Sequence, residues 1–217
     1  MQNLSVCVFA ALAVAVMMGG SSAHGADAVP SAAAPAVKRV VVWDGEQASK
    51  GGGWTNPTTC TIRPQTSEAH SGNTALEFKF KDSKQWLGAG WNWCAFKTGT
   101  DVGTDTSAMK NLSLWIKTKG KGGDLQINML CNGVVLDTPD EHTAKVHVLK
   151  YCPQLLDGQW HEVVIPLADL TPAQGYNPKI VSEIHFGFMA EEGTDGSFLI
   201  DDIAFDDRAG DNLRIAP

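Results

Sequence analysis

The chain has 217 residues and a formal charge of −7, from 17 Lys and Arg against 24 Asp and Glu, and 43% of it is hydrophobic. No Lys/Arg cluster interrupts that acidity, which excludes the basic footprint of a nucleic-acid binder or of a protein held to anionic membranes. Residues 4–18 are almost wholly apolar and run into Gly19-Gly20-Ser21-Ser22-Ala23. That form is a secretory signal, too short to span a bilayer, and no second apolar run of spanning length follows. The expected organisation is a signal over 1–25, an Ala/Pro-rich tether over 26–37, one domain over 38–207 and a loose tail over 208–217. The product is an exported protein, secreted or periplasmic, with a domain large enough for a real core.

Beyond the tether, short runs of β-branched and aromatic residues recur between Gly-rich turns. Strands are expected at 39–42, 60–63, 75–81, 90–96, 112–118, 125–131, 145–151, 161–165, 184–189 and 197–205, with no amphipathic helix between them. Turn signals include Gly51-Gly52-Gly53, His70-Ser71-Gly72-Asn73 and Gly120-Lys121-Gly122-Gly123-Asp124. This pattern implies an all-β domain, a jelly-roll β-sandwich of two antiparallel sheets. Alternation divides faces. In Leu125-Gln126-Ile127-Asn128-Met129 the apolar residues point one way and Gln126 and Asn128 the other. In Ile184-His185-Phe186-Gly187-Phe188-Met189 the core takes Ile184, Phe186 and Phe188, leaving His185 and Met189 outside. Within Trp91-Asn92-Trp93-Cys94 the two Trp share one face.

Removal of the signal takes Cys7 and leaves Cys60, Cys94, Cys131 and Cys152. An even count in an exported chain favours two disulfides, for which three connectivities exist. Locality favours Cys60–Cys94 and Cys131–Cys152, closing loops of about 34 and 21 residues at roughly 3 kcal/mol each. No Cys-x-x-Cys pair or His at ligand spacing points to zinc.

The closing third carries the strongest family signal. Gly158-Gln159-Trp160 leads into an apolar strand ending Pro166-Leu167, a later apolar strand follows at 184–189, and Ile200-Asp201-Asp202-Ile203 closes the set. With Asp105-Thr106-Ser107 and Leu112-Ser113-Leu114-Trp115-Ile116-Lys117 upstream, this ordered set resembles the galactose-binding-like β-sandwich of family 11 carbohydrate-binding modules. The resemblance implies a non-catalytic carbohydrate-binding module, monomeric, with a polysaccharide or oligosaccharide, a β-glucan above all, as partner, and neither nucleic acid nor membrane. A protein-interaction domain on the same fold is the alternative.

Sugar recognition takes flat aromatic rings for the C–H faces of pyranoses and polar groups for the hydroxyls. The chain has 7 Trp. The candidates are Trp54, Trp86, Trp91 and Trp93 for stacking, with Gln126, Asn128 and His185 on the polar sheet face. Trp43, Trp115 and Trp160 are assigned to packing. The resemblance also implies a structural calcium ion, Ca2+, tying the first strand to the last through Asp44 or Glu46, Asp201, and the loop carrying His70 and Asn73, since a hard cation takes six or more oxygens.

Catalytic signatures are missing from the sequence. Glycosidases of this architecture pair two carboxylates across a cleft, but Glu191-Glu192 and Asp201-Asp202 are adjacent and so point to opposite faces. There is no Gly-x-Ser-x-Gly elbow. The lyase pattern of a Tyr with a basic neighbour finds only Tyr151 beside Lys150. The expectation is therefore a binding protein and not an enzyme.

Overall fold

The computed structural model describes residues 36–209, apart from 47–49, 57–58, 98, 100, 132–141 and 192–193, and apart from the side chains of 82 and 83. The expected signal, nearly all of the tether and most of the tail lie outside the described residues. Within them, eleven strands form two antiparallel sheets and no α-helix occurs. One sheet orders β3 (Thr61–Gln65), β4 (Ala75–Ser83), β11 (Thr194–Asp206), β6 (Asn111–Gly120) and β9 (His161–Pro166), with β1 (Arg39–Trp43) also paired to β11. The other orders β2 (Gly52–Asn56), β5 (Trp86–Asn92), β10 (Val181–Met189), β7 (Gln126–Cys131) and β8 (Val146–His147). We call them the β11 sheet and the β10 sheet.

The alternation sets which side of each strand is buried. On the β11 sheet Leu112, Leu114 and Ile116 of β6 and Phe198 and Ile200 of β11 face inward; on the β10 sheet Leu87, Ala89 and Trp91 of β5 and Ile184, Phe186 and Phe188 of β10 do so. Phe78, Phe80, Phe188 and Phe198 meet edge-on or tilted, with centroids 4.9–6.4 Å apart. Rings from both sheets thus fill one core, in the arrangement aromatic pairs prefer.

The long strand β11 changes partner midway. Residues 194–200 pair with β4 and residues 203–206 with β1, while the register against β6 slips between Asp201 and Ala204. Asp202 sits at that bulge with φ 51°, in the left-handed region. The Asp-Asp pair of the closing motif is therefore a β-bulge at a strand junction.

Three expected elements differ. Residues 51–53, expected as a turn, open into β2, because the glycines pair with β5 like any other strand residues. The strand expected at 90–96 begins at Trp86 and ends at Asn92, whose side-chain Oδ1 accepts from the Cys94 and Phe96 N–H groups and turns the chain there. Residues 145–151 give only the two-residue β8 before a 3-10 turn over Val148–Lys150. Asp124 causes this break by accepting from the Leu149 N–H, 3.3 Å away, and pairing with His147.

The expected disulfides are also corrected, since none joins Cys60, Cys94, Cys131 and Cys152. Each sulfur has its own setting. Cys60 and Cys152 are core residues, Cys94 lies in the half-buried turn after β5, and the Cys131 Sγ accepts from the Asn177 N–H at 3.3 Å. Nearness in sequence does not by itself set the Cβ geometry that a disulfide requires.

Candidate functional site

The outward face of the β10 sheet is built in rows. Trp54, Gly90, His185 and Asn128 stand side by side in register across β2, β5, β10 and β7. The next row is Asn56, Gly88, Gly187, Gln126 and His147. Strand alternation puts all of these on the face opposite the core.

Glycine makes the face concave. A Cβ at Gly88 would lie 2.0 Å from the Trp86 ring, and one at Gly187 would lie 2.9 Å from it. The adjacent glycines leave a floor over which that ring folds. Gly90 does the same for Trp54, since a Cβ there would come within 2.2 Å of the indole nitrogen. The resulting cleft has a volume of about 210 Å³ and is lined by Trp54, Trp86, Gln126, Asn128, His142, Lys145 and His185, with Phe186 and Gly187 beneath. The Lys145 ammonium stands over the Trp86 ring, 5.1 Å from its centroid, a cation–π contact. His185 meets Trp54 edge-to-face at 4.9 Å and His142 at 5.1 Å, and the Asn128 Nδ2 lies 3.2 Å from the His142 Nδ1.

Glu183 stands on this same face, buried beside Trp54 and His185. Its Oε1 accepts from the indole N–H of Trp54 and lies 2.7 Å from Nε2 of His185, while Oε2 accepts from the Asn92 amide at 3.0 Å. Burial by itself would raise this carboxyl, but the hydrogen bonds and charge of His185, with the Asn92 and Trp54 donors, outweigh it and hold the group below its usual range.

Of the expected ligand-binding residues, Trp54, Trp86, Gln126, Asn128 and His185 come together in this cleft. Trp91 and Trp93 do not. They share a face, as alternation requires, but it is the core face: Trp91 is 3% exposed and meets Trp43 edge-on at 6.2 Å, and Trp93 packs against Phe205 at 6.4 Å. The middle outward positions of β5 are Gly88 and Gly90, so the stacking rings come from Trp86 at its start and from Trp54 on the next strand. Sequence reasoning missed Glu183, His142 and Lys145. Glu183 had a signal, as an acid two residues before His185 and therefore on its face.

The residues expected to hold calcium are linked by a chain of hydrogen bonds running from the end of β1 through the 70–73 loop to the β11 bulge. The Glu46 N–H donates to Asp44 Oδ1 at 3.1 Å, and the Asn73 N–H donates to Glu46 Oε1 at 2.7 Å. The His70 and Ser71 N–H groups donate to Asp201 Oδ2 at 2.9 and 3.2 Å, and the Asp202 N–H donates to Asp201 Oδ1 at 2.8 Å. Burial pushes the Asp201 carboxyl up to about 6 against those donors, with the Asp202 charge adding to the rise. Among the described residues no three His, Cys, Asp or Glu side chains are grouped as ion ligands. Carbonyl oxygens would have to complete any shell here.

A two-sheet antiparallel sandwich with an aromatic and amide-lined cleft on the outer face of one sheet defines the class of β-sandwich carbohydrate-binding modules. The chain belongs to the carbohydrate binding domain 30 family, whose model matches residues 38–207. It is similar in fold to a family 30 carbohydrate-binding module (TM-score 0.59, 18% identity, covering 83% of this chain and 92% of that one). It is similar also to the family 30 module of a cellulosomal cellulase of Clostridium thermocellum (TM-score 0.59, 19% identity, 77% and 96%). A family 11 module of the same organism, determined in complex with a β-1,3-1,4-mixed-linked tetrasaccharide, matches with TM-score 0.56 and 15% identity, over 78% of this chain and 96% of that one. The resemblance to family 11 thus extends to the fold, while the family is 30. No curated protein matches the sequence.

Proposed function

We propose that the β10-sheet cleft binds a β-linked glucan without cleaving it. The observation that carries this is the pairing of two Trp rings with amide and imidazole groups on one concave face. The rings supply apolar surface for pyranose C–H groups, and Gln126, Asn128 and His185 replace water at the hydroxyls. The cleft volume is below the roughly 300–1,000 Å³ of pockets that enclose a whole small ligand, which suits a surface that grips part of a polymer. A family 11 neighbour is described with a mixed-linked β-glucan tetrasaccharide, and this supports the same ligand class here.

The non-catalytic reading rests on the cleft's chemistry. Hydrolysis of a glycoside takes two carboxyl groups facing the scissile bond. The described cleft lining includes no acid, and the buried Glu183 carboxylate beside it is engaged by three donors. Tyr151, the one lyase-like tyrosine, donates its hydroxyl to Asp169 at 2.7 Å; burial and that partner raise its pKa, opposite to what a proton-abstracting tyrosine needs. Export by the signal at 1–25 and a calcium ion at the β11 bulge belong to the same reading. The calcium is supported by the hydrogen bonds that link Glu46 to the 70–73 loop and that loop to the buried Asp201 carboxylate, whose donors are the backbone N–H groups of His70, Ser71 and Asp202.

Calorimetry of the domain against soluble β-glucans, xylans, mannans and galactans tests the function. Saturable binding to β-glucan with no new reducing ends supports it. Cleavage products overturn the non-catalytic part, and silence across the panel overturns the whole and favours a protein-interaction domain.

A further inference from the structure

Glu183 is 2% exposed, yet it joins three strands, β2, β5 and its own β10. It takes the Trp54 indole N–H from β2, the Asn92 amide from β5, and the ring of its own strand neighbour His185. An ionised carboxylate can only accept hydrogen bonds, so the His185 Nε2, 2.7 Å from Oε1, must carry a proton. In a neutral imidazole the other nitrogen, Nδ1, is then bare and is an acceptor. The same carboxylate leaves the Trp54 ring with no N–H to offer a ligand. What Trp54 presents to the cleft is apolar surface alone.

We propose that Glu183 is the positioning residue of this site, locking Trp54 over Gly90 and holding His185 as its Nε2–H tautomer, so that His185 accepts a hydrogen bond from a sugar hydroxyl. The proposal rests on the glycan-binding reading of the cleft. It assigns the polar groups opposite senses. His185 takes a hydroxyl proton, while the Gln126 and Asn128 amides and the Lys145 ammonium are able to donate to hydroxyl oxygens. A ligand must then present a free hydroxyl as donor at the His185 position, and a glycan methylated or acylated there loses that contact. The titratable and charged groups around His185 are Glu183 on its own strand, His142 at 5.1 Å, and Lys145 in the cleft lining; Trp54, Asn92 and Asn128 complete its polar surroundings.

The experiment is ¹⁵N NMR of the histidine side chains in the folded domain, joined to calorimetry with a soluble mixed-linkage β-1,3-1,4-glucan, for wild type and Glu183→Gln. The substitution keeps the volume and one acceptor oxygen but cannot receive Trp54, His185 and Asn92 together. Expected is an Nε2–H signature for His185 in the wild type, a shift toward the other tautomer or a mixture in E183Q, and a loss of about tenfold in affinity. A wild-type His185 protonated on Nδ1, whether as that tautomer or as the imidazolium, overturns the proposal, and so does E183Q binding as tightly as wild type. If E183Q does not fold, the wild-type tautomer still decides, with an O-methylated glucan replacing the variant in the binding arm and undiminished affinity counting against it. If the wild type binds no glucan while His185 shows the Nε2–H signature, the ligand reading fails and the Glu183 clamp stands.

Discussion

The two sheets carry much the same aromatic chemistry on their outer faces, but their rings are set differently. On the β11 sheet, half-buried Trp115 has one side occupied by the chain itself: the His70 ring lies flat on it, 3.6 Å away and tilted only 11°, and Trp160 meets that His70 ring edge-on at 5.8 Å. Asp202 holds that lid through His70 Nδ1 at 2.9 Å and through the Ser71 hydroxyl at 2.9 Å. On the β10 sheet, Trp54 and Trp86 lie against glycines, and the space above them is a cleft. Aromatic content does not make a binding face. A ring becomes a platform only where the chain leaves one side of it uncovered, and here three in-register or neighbouring glycines do that.

Breaking the core beneath the cleft has the largest expected effect. Trp91→Ala removes a ring packed on Trp43 and costs about 3–5 kcal/mol of stability, read from urea unfolding. An unchanged unfolding midpoint would move Trp91 back to the surface. Next comes the calcium site proposed at the β11 bulge. Chelation lowers the melting temperature reversibly, by the equivalent of about 2.7 kcal/mol where calcium stands at 100 times its dissociation constant, while glucan affinity stays the same. A flat melting curve with no metal by elemental analysis removes the ion.

The open face is probed by Trp54→Ala and Trp86→Ala. Each is expected to cost about 1.5–3 kcal/mol in glucan binding by calorimetry, with a much smaller loss of fold stability. Trp115→Ala is the matching control. Its ring is stacked under His70 on the other sheet, so the change lowers the melting temperature and leaves affinity within error, and a binding loss there would erase the contrast between the faces.

The smallest effect is a pH dependence. Because Glu183 sits below its ordinary value in the fold, the unfolded chain binds the extra proton first as pH falls. Its contribution is therefore complete above about pH 4.3 and is lost as acidity passes through the folded value. Melting curves from pH 6 to pH 3 should steepen their decline below that point, and less so in Glu183→Gln.

Local alternation, read from sequence, was sufficient for much of this. A period of two is a property of the extended backbone, so the opposite faces of 125–129 and 184–189 were legible, and with them Gln126, Asn128 and His185. The ordered closing motifs were enough for the sandwich and for a carbohydrate-binding family. Alternation also paired Trp91 with Trp93 correctly, but it cannot say which of two faces is the core. That depends on what lies across the sandwich, here Trp43 and Phe205. Glycines at 51–53 concealed β2, because a residue without a side chain carries no pattern. The Glu183 clamp was beyond reach for a different reason: its partners Trp54 and Asn92 lie 129 and 91 positions away. Sequence determined which residues could share a face. Only strand order and register, set by burying both sheets against each other, decided which face is wet and which side chains meet on it.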